Sequence, residues 1–199
     1  NYEPNSKDRQ ELQKAVDELL ACKPFEIPVI IDGQEFRSGK LAKQVNPGDH
    51  AQAVCYYHEA DERMVNIAIE GALKAKKQWM NMPWSERAAI SMKAADLIAH
   101  KYRYQLLAAT MVGQGKNVWQ AEIDAGAEIC DFLRFGVKYV DDMYQIQPPR
   151  NSPGVWNRTE YRPLEGFVLA ISPFNFTAIA GNLVMTPAMV GNVVVWKPS

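Results

Sequence analysis

Two short, uninterrupted apolar runs near the carboxyl end constrain the fold most. They are residues 166–172 (GFVLAIS) and 193–196 (VVVW), and the segment between them, 177–190, has the composition of a packed helix. A continuous apolar run is typical of a strand that is buried on both faces. Gly191 and Asn192 predict the end of the helix. Strand, helix and strand joined by short turns form a βαβ unit, so the sequence predicts a parallel sheet and an α/β fold.

A parallel sheet needs further strands and a cover on both faces. The sequence ends at Ser199, directly after the second apolar run. We therefore expect an incomplete sheet, in a chain that is cut through a domain. Residues 1–8 are polar, contain no apolar leader segment and do not begin with Met, which favours the removal of an upstream segment.

The first third of the chain predicts one helix, one hairpin and little other regular structure. Apolar spacing predicts a helix over residues 6–22, with Ser6 as its cap. An Asp-Gly pair between two strand-like runs predicts a β-hairpin over residues 29–36. Residues 39–52 have the composition of a loop, and residues 53–57 of a short strand.

Three longer helices are predicted next. One begins after Asp61, one begins at Ser85 and extends to about residue 111, and one covers residues 118–140 after a break at 113–115. A loop over 147–154 and an extended edge strand over 159–161 then lead to the βαβ unit. The spacing in the first two helices predicts core-facing positions at Val65, Ile69, Ala72, Leu73, Ile90, Ala94, Leu97 and Ile98.

Composition excludes several functional classes. The 22 basic and 23 acidic residues give a net charge of -1, so no electrostatic patch for nucleic acid or an anionic membrane is expected. The uncharged stretch 166–196 is long enough for a membrane span, but its prolines and asparagines favour a buried core instead. Cys22, Cys55 and Cys130 lack the spacing of a zinc site or a disulfide scaffold, which favours a reducing intracellular compartment and no metal.

Candidate ligand-binding residues lie at the predicted strand ends. Ligands of parallel α/β sheets bind at the carboxyl ends of the strands, which here are residues 172–176 and 197–199. The Asn175 amide can donate a hydrogen bond to a developing oxyanion, and Lys197 can bind a phosphate or a ribose hydroxyl. The alternatives are that Asn175 is a turn residue that caps the next helix and that Lys197 is a solvated strand end.

Two further sequence patterns could indicate a binding site. Asp124, Glu128 and Asp131 have the spacing of one helix face, which predicts either a site for a cation or ammonium group or a solvated acidic face. The run 113–116 (GQGK) fits neither the dinucleotide-binding nor the Walker pattern, so it predicts only a turn that breaks a helix.

Several motifs resemble the aldehyde dehydrogenase superfamily. They are residues 164–167 (LEGF), 171–179 (ISPFNFTAI) and 191–199 (GNVVVWKPS). Within that superfamily, three runs resemble the enzymes that oxidise L-glutamate γ-semialdehyde in proline breakdown, namely 111–116 (MVGQGK), 120–125 (QAEIDA) and 131–135 (DFLRF).

The resemblance implies an organisation for the chain. Residues 1–138 would be the helical N-terminal part of an NAD-binding domain with an early hairpin. Residues 139–163 would belong to a dimerisation arm, and residues 164–199 would begin the Rossmann-type core. The implied cofactor is NAD, and the implied partners are a small aldehyde and a second copy of the chain, in a homodimer or larger homo-oligomer. The implied location is the mitochondrial matrix, or otherwise the cytoplasm.

The resemblance also implies roles for individual residues. Asn175 matches the oxyanion-stabilising asparagine, and Ser172 and Lys197 match positions that contact NAD, with Lys197 on the adenosine ribose. Phe176 matches an aromatic wall around the aliphatic chain of the substrate. Glu128 matches a residue near the α-ammonium group of the substrate.

The implied reaction needs groups that this chain lacks. In the family, a cysteine thiolate attacks the aldehyde, hydride passes to NAD, and a glutamate-activated water hydrolyses the thioester. Neither the nucleophile, the general base nor the nicotinamide-side glycine turn is matched here, so the chain alone is expected to be inactive. The alternatives are a short non-catalytic chain that binds a partner or a nucleotide, and a dehydrogenase for another semialdehyde.

Overall fold

The computed structural model describes residues 2–199. The helices are α1 (Lys7–Ala21), α2 (Glu62–Asn81), α3 (Trp84–Ala99), α4 (Arg103–Gln114), α5 (Val118–Ala121), α6 (Ile129–Tyr144) and α7 (Thr177–Met189). The strands are β1 (Phe25–Ile27), β2 (Val29–Ile31), β3 (Gln34–Phe36), β4 (Leu41–Asn46), β5 (Asp49–His58), β6 (Val168–Ile171) and β7 (Val194–Lys197). None of the helices in this described range is long and apolar enough to cross a membrane.

The first helix and the first hairpin follow their local sequence signals. The Ser6 hydroxyl caps α1 and accepts a hydrogen bond from the Arg9 N–H at 3.3 Å. Strands β2 and β3 pair in antiparallel register, and both turn residues have positive φ, 51° at Asp32 and 74° at Gly33. Asp and Gly tolerate that left-handed backbone, so the predicted hairpin is confirmed.

The loop predicted for residues 39–52 is wrong. Strands β4 and β5 form a second hairpin in this region, and β1 adds to β5 in parallel. The turn is held by side chains, because Asn46 accepts from the Gly48 N–H and donates to Gln52, both at 2.9 Å. Strand β4 exposes Leu41, Lys43 and Gln44, and its apolar residues do not alternate with polar ones, so sequence reasoning could not detect it.

Helices α2 and α3 differ from the predicted pattern in their buried faces. Val65, Leu73 and Ile90, which were predicted to face the core, are exposed. Helix α3 instead buries a face that carries Arg87 and Ser91. The remaining predicted positions are half-buried: Ile69, Ala72, Ala94, Leu97 and Ile98.

The predicted limits of α3 also require correction. The helix follows Pro83 without a side-chain cap, so Ser85 lies inside it. It does not extend to residue 111, because α3 ends at Ala99 and α4 begins at Arg103. The Tyr102 N–H donates to the Leu97 carbonyl at 2.9 Å across this break.

Buried Arg87 joins the ends of several helices. Its Nε donates to the Met189 carbonyl at 3.0 Å, and its Nη1 donates to the carbonyls of Trp79 and Met82. Its Nη2 lies 3.5 Å from the Tyr144 hydroxyl. The last carbonyls of a helix lack partners within the helix and carry partial negative charge. The partial negative charge of the carbonyls at the C-terminal turns of α2 and α7 therefore offsets the buried positive charge of Arg87.

The long helix predicted over 118–140 is confirmed, with an irregularity inside it. Helix α5 continues through a π-helical segment, Glu122–Glu128, into α6. Gly115, with φ 65°, ends the preceding helix α4, as the glycines of 113–115 predict. Helix α6 continues to Tyr144, so residues 139–144 of the predicted arm are helical.

The region between α6 and β6 contains no strand, so the edge strand predicted at 159–161 is wrong. The Gln147 side chain holds this region instead, accepting from the Thr159 N–H at 2.9 Å and donating to its carbonyl at 3.3 Å. The loop predicted over 147–154 is confirmed. Side-chain contacts of this kind fix an extended segment without adding it to a sheet.

The predicted βαβ unit is confirmed. Strands β6 and β7 pair in parallel from Val168–Val194 to Ile171–Lys197, and α7 connects them. Burial on both faces is not observed in the described chain, because Leu169 is 57% exposed and Ile171 is 61% exposed. Helix α7 packs closely on α6, and an added Cβ at Gly181 would lie 2.7 Å from the Ile129 Cδ1 atom.

Replacing Arg87 by Met should strongly destabilise the protein. The substitution leaves buried carbonyls of α2 and α7 without donors, which we expect to cost about 3 kcal/mol of unfolding free energy. Thermal unfolding measures the loss. The matched control is Arg134→Met at an exposed position of α6, where we expect a change within about 0.5 kcal/mol. Equal melting temperatures for the two variants would contradict this role of Arg87.

Candidate functional site

The carboxyl ends of β6 and β7 lie side by side, as the sequence predicts. The Ser172 N–H donates to the Lys197 carbonyl at 3.3 Å. The Ser172 side chain is buried, and its hydroxyl oxygen accepts from the Trp196 indole N–H at 3.0 Å. Its hydroxyl proton remains available to a ligand. The Lys197 side chain is exposed and has no hydrogen-bond or ion-pair partner within residues 2–199.

Asn175 lies in the turn between β6 and α7. Its side-chain amide is exposed and has no partner in the described part of the chain. Its backbone carbonyl accepts a hydrogen bond from the Lys116 ammonium at 2.5 Å. The same ammonium lies 4.1 Å from the centre of the Phe176 ring, a cation–π contact. The backbone of this turn is therefore anchored while the amide of Asn175 stays free.

Buried Asp124 caps helix α7 from a different helix. Helix α7 has no side-chain cap of its own. The Asp124 carboxylate is 1% exposed and accepts from the Thr177 N–H at 2.9 Å and the Ala178 N–H at 2.7 Å. It also accepts from the Lys116 ammonium at 2.8 Å. A carboxylate at a helix N-terminus satisfies free N–H groups and interacts favourably with the helix dipole.

Side chains of α4 reinforce the same junction. The hydroxyl oxygens of Thr110 and Thr177 lie 2.9 Å apart, and the Gln114 amide donates to Thr177 at 2.9 Å. Three segments therefore converge on the start of α7, namely α4, the π-helical segment and the loop that carries Lys116.

Sequence reasoning missed Lys116 and Asp124 as partners of this turn. The run 113–116 predicted only a break between helices. One signal in the sequence was the position of Asp124 among small residues, such as Ala121 and Ala125. All three residues are buried in the structure. That pattern indicates a buried carboxylate but does not identify the groups it binds.

The acidic face predicted from Asp124, Glu128 and Asp131 is not formed. Asp124 is buried, Glu128 is half-buried and Asp131 is exposed. The π-helical segment has more residues per turn than an α-helix, so the seven-residue spacing of Asp124 and Asp131 no longer places them on one face. Within residues 2–199, no group of three or more His, Cys, Asp and Glu side chains could hold a metal ion.

Glu128 remains a candidate on separate grounds. Its carboxylate has no hydrogen-bond or ion-pair partner in the described chain. The π-helical segment that carries it packs against α7. The structure therefore leaves Glu128 available to a cationic ligand group.

The two buried cysteines lack the environment of a nucleophile. Burial raises the pKa of the Cys55 thiol, and burial is also the main cause of the raised pKa of Cys130. The Cys130 thiol donates to the Ala95 carbonyl at 3.6 Å. A nucleophilic cysteine needs a lowered pKa, since the thiolate is the reactive form.

Asp124→Asn should weaken the start of α7. The two N–H groups lose a charged acceptor and the Lys116 ammonium loses its counter-charge, which we expect to cost about 3–5 kcal/mol. Hydrogen exchange of the Thr177 and Ala178 amides measures the local effect, and thermal unfolding the global one. Asp131→Asn, at an exposed position of α6, is the matched control. Unchanged exchange in Asp124→Asn would contradict the capping role.

Alkylation should modify Cys22 well before Cys55 and Cys130. Cys22 is exposed, whereas the other two are buried and their raised pKa values reduce the thiolate fraction at neutral pH. Mass spectrometry after treatment of the native protein with iodoacetamide gives the order. Rapid modification of Cys130 under native conditions would contradict its assignment as a packing residue.

Comparison with known proteins gives one family and a consistent set of relatives. A model of the aldehyde dehydrogenase family matches residues 34–199. A Δ1-pyrroline-5-carboxylate dehydrogenase from Agaricus bisporus is 61% identical over 199 residues, covering 100% of this chain and 36% of the relative. A probable enzyme of the same name from Schizosaccharomyces pombe is 59% identical, again over 36% of its length. The chain thus spans about a third of the relatives that it matches.

Solved structures agree with these relatives. The Mycobacterium tuberculosis Δ1-pyrroline-5-carboxylate dehydrogenase superposes with a TM-score of 0.96 at 44% identity, covering 100% of this chain and 37% of that one. A further crystal structure of that enzyme contains bound NAD. The Thermus enzyme with bound NAD superposes with a TM-score of 0.90 at 27% identity, over 98% of this chain and 38% of that one. The present chain, matched over residues 34–199 by the family model, belongs to the aldehyde dehydrogenase family.

Proposed function

We propose that the chain is part of an NAD-dependent dehydrogenase that oxidises L-glutamate γ-semialdehyde, formed from Δ1-pyrroline-5-carboxylate, to L-glutamate in proline breakdown. The observation that carries the proposal is the free amide of Asn175 on an anchored turn, next to the ends of two parallel strands. The relatives and solved structures named above support the same substrate. In this proposal the 199 residues contribute part of the active site and do not turn over substrate alone.

Asn175 is proposed to stabilise the oxyanion. When a thiolate adds to the aldehyde carbon, negative charge develops on the carbonyl oxygen. An amide N–H that is already positioned can donate to that oxygen without reorganisation. The burial of Cys55 and Cys130 and their raised pKa values oppose a nucleophilic role for either. We infer that the thiolate and the general-base glutamate come from a part of the enzyme that these residues do not include.

Ser172 and Lys197 are proposed to bind NAD. The donors at this edge are a hydroxyl proton and an unpaired ammonium group, which suit ribose hydroxyls and phosphate oxygens. Lys197 would hold the adenosine ribose, and Ser172 would donate to a neighbouring oxygen of the cofactor. When bound, NAD accepts the hydride of the reaction. Crystal structures of two of the similar enzymes, from Mycobacterium tuberculosis and Thermus, contain NAD.

Glu128 and Phe176 are proposed to recognise the substrate. The unpaired, half-buried Glu128 carboxylate suits the α-ammonium group of an amino acid. The Phe176 ring is 38% exposed and suits the aliphatic carbons between that group and the aldehyde. These two side chains would separate an amino-acid semialdehyde from a simple aliphatic aldehyde.

Residues 139–163 are proposed to contribute to a homodimer or a larger homo-oligomer. This segment exposes large apolar side chains, namely Tyr139, Ile146, Val155 and Trp156. Surfaces of this kind are typical of protein–protein contacts.

A mitochondrial matrix location is proposed as well, since relatives from Emericella nidulans and Homo sapiens are named as mitochondrial.

Asn175→Ala should lower kcat for glutamate γ-semialdehyde by about 10²- to 10³-fold, the usual effect of removing one oxyanion donor. The measurement is NADH formation by the complete native polypeptide. Asn66→Ala, on the exposed surface of α2, is the matched control and should retain full activity.

The wild-type protein decides between the proposed function and the alternatives. NAD binding without aldehyde-dependent NADH formation would overturn the proposed function and favour a non-catalytic nucleotide-binding chain. A higher kcat/KM for a different semialdehyde would reassign the substrate while keeping the dehydrogenase.

Glu128→Gln should reduce kcat/KM more for glutamate γ-semialdehyde than for an aliphatic aldehyde of similar length. The amide cannot neutralise the α-ammonium group, and we expect a difference of about 10-fold or more for a charged contact. Asp131→Asn, which removes an exposed carboxylate from α6, should reduce neither value. Equal losses for the two aldehydes would remove Glu128 from the substrate site.

A further inference from the structure

We infer that Lys116 is a positioning residue that holds Asn175 in place for oxyanion stabilisation. The inference rests on the proposed function and deepens it. Neither the family resemblance nor the sequence patterns assigned Lys116 any role beyond a turn. The geometry points to it because one ammonium group contacts the backbone of Asn175 and the ring of the next residue.

The Lys116 ammonium is itself fixed. Its side chain is only 13% exposed, and it forms an ion pair at 2.8 Å with Asp124, which is fully buried. Two backbone N–H groups of α7 hold the same carboxylate. An exposed lysine would lose most of its contact energy to side-chain entropy and solvent, whereas a buried and paired lysine keeps its direction.

The contacts of Lys116 divide into two kinds. The ion pair with Asp124 belongs to the cap of α7. The hydrogen bond to the Asn175 carbonyl at 2.5 Å and the contact with the Phe176 ring at 4.1 Å belong to the turn alone. Without Lys116, the carboxylate would still accept from the Thr177 and Ala178 N–H groups. Loss of the lysine is therefore expected to leave α7 capped and to release the turn.

Release of the turn is expected to lower kcat, because the Asn175 amide must lie at hydrogen-bond distance from the oxyanion. A displacement of about 1 Å at a reacting centre can cost about 10²-fold in rate. The Asn175 side chain has no other partner in the described chain. Its direction therefore depends on its own backbone, which Lys116 contacts directly.

The test is a double-mutant cycle with Lys116→Met and Asn175→Ala in the complete native polypeptide. We expect Lys116→Met to lower kcat by about 10- to 100-fold when Asn175 is present. In the Asn175→Ala background, the same change should lower kcat by less than about 2-fold, because residues that act as a unit are not additive. The Kd of NAD should stay within about 2-fold of wild type throughout.

Controls separate positioning from general instability. Lys138→Met removes an exposed lysine that is ion-paired with Asp142 on α6, and it should leave kcat unchanged. Hydrogen exchange of the 174–176 amides should rise in Lys116→Met, whereas the Thr177 and Ala178 amides should stay protected. The variant leaves a buried carboxylate without its counter-charge, so its melting temperature should fall as well, and kcat is measured at a temperature where every variant is folded. If that variant does not fold, the cycle is measured in an Asp124→Asn background, which removes the unpaired buried charge from every variant of the cycle.

Equal losses of kcat in both backgrounds would overturn the positioning role, because a general loss of stability acts whether or not Asn175 is present. It would also be overturned if Lys116→Met retained full kcat. A wild-type protein without aldehyde-dependent NADH formation would instead overturn the proposed function, and the positioning role with it. The wild-type assay therefore distinguishes the two failures.

Discussion

The buried carboxylate of Asp124 is the interaction on which the site depends. It binds two N–H groups at the start of α7 and the ammonium of Lys116, so one side chain couples the π-helical segment, the end of α4 and the turn after β6. A charge that is 1% exposed needs this many partners to be tolerated. The same partners fix the turn that carries Asn175.

The residues that hold the turn in place differ from the residues that are free to bind a ligand. The groups that are fully satisfied, Asp124 and Lys116, hold the backbone, while the Asn175 amide and the Lys197 ammonium keep their bonding capacity for a ligand. Ser172 combines both properties, since its oxygen accepts from Trp196 and its proton remains free. Preorganised donors of this kind act without a reorganisation cost when charge develops in a reaction.

Sequence reasoning correctly predicted the features that depend on residues close together in the chain. The Asp32–Gly33 hairpin, the βαβ unit and the meeting of Ser172 with Lys197 follow from turn chemistry, strand character and the topology of parallel sheets. Strand β4 and the first part of β5 were missed because residues 41–52 have no apolar alternation, although the strand predicted at 53–57 lies within β5. The backbone partners of Asp124, Thr177 and Ala178, were missed because they lie 53 and 54 residues away along the chain. The acids were grouped wrongly because the π-helical segment changes the residue spacing of the helix face.

The most direct test of this account is a structure of the complete native protein with NAD bound. The Lys197 ammonium should lie within hydrogen-bond distance of the adenosine ribose. The Asn175 amide should face the position that the aldehyde oxygen occupies in the reaction, with the Lys116–Asp124 pair intact beneath the turn. NAD bound away from the ends of β6 and β7, or an Asn175 amide turned away from the reaction centre, would contradict it.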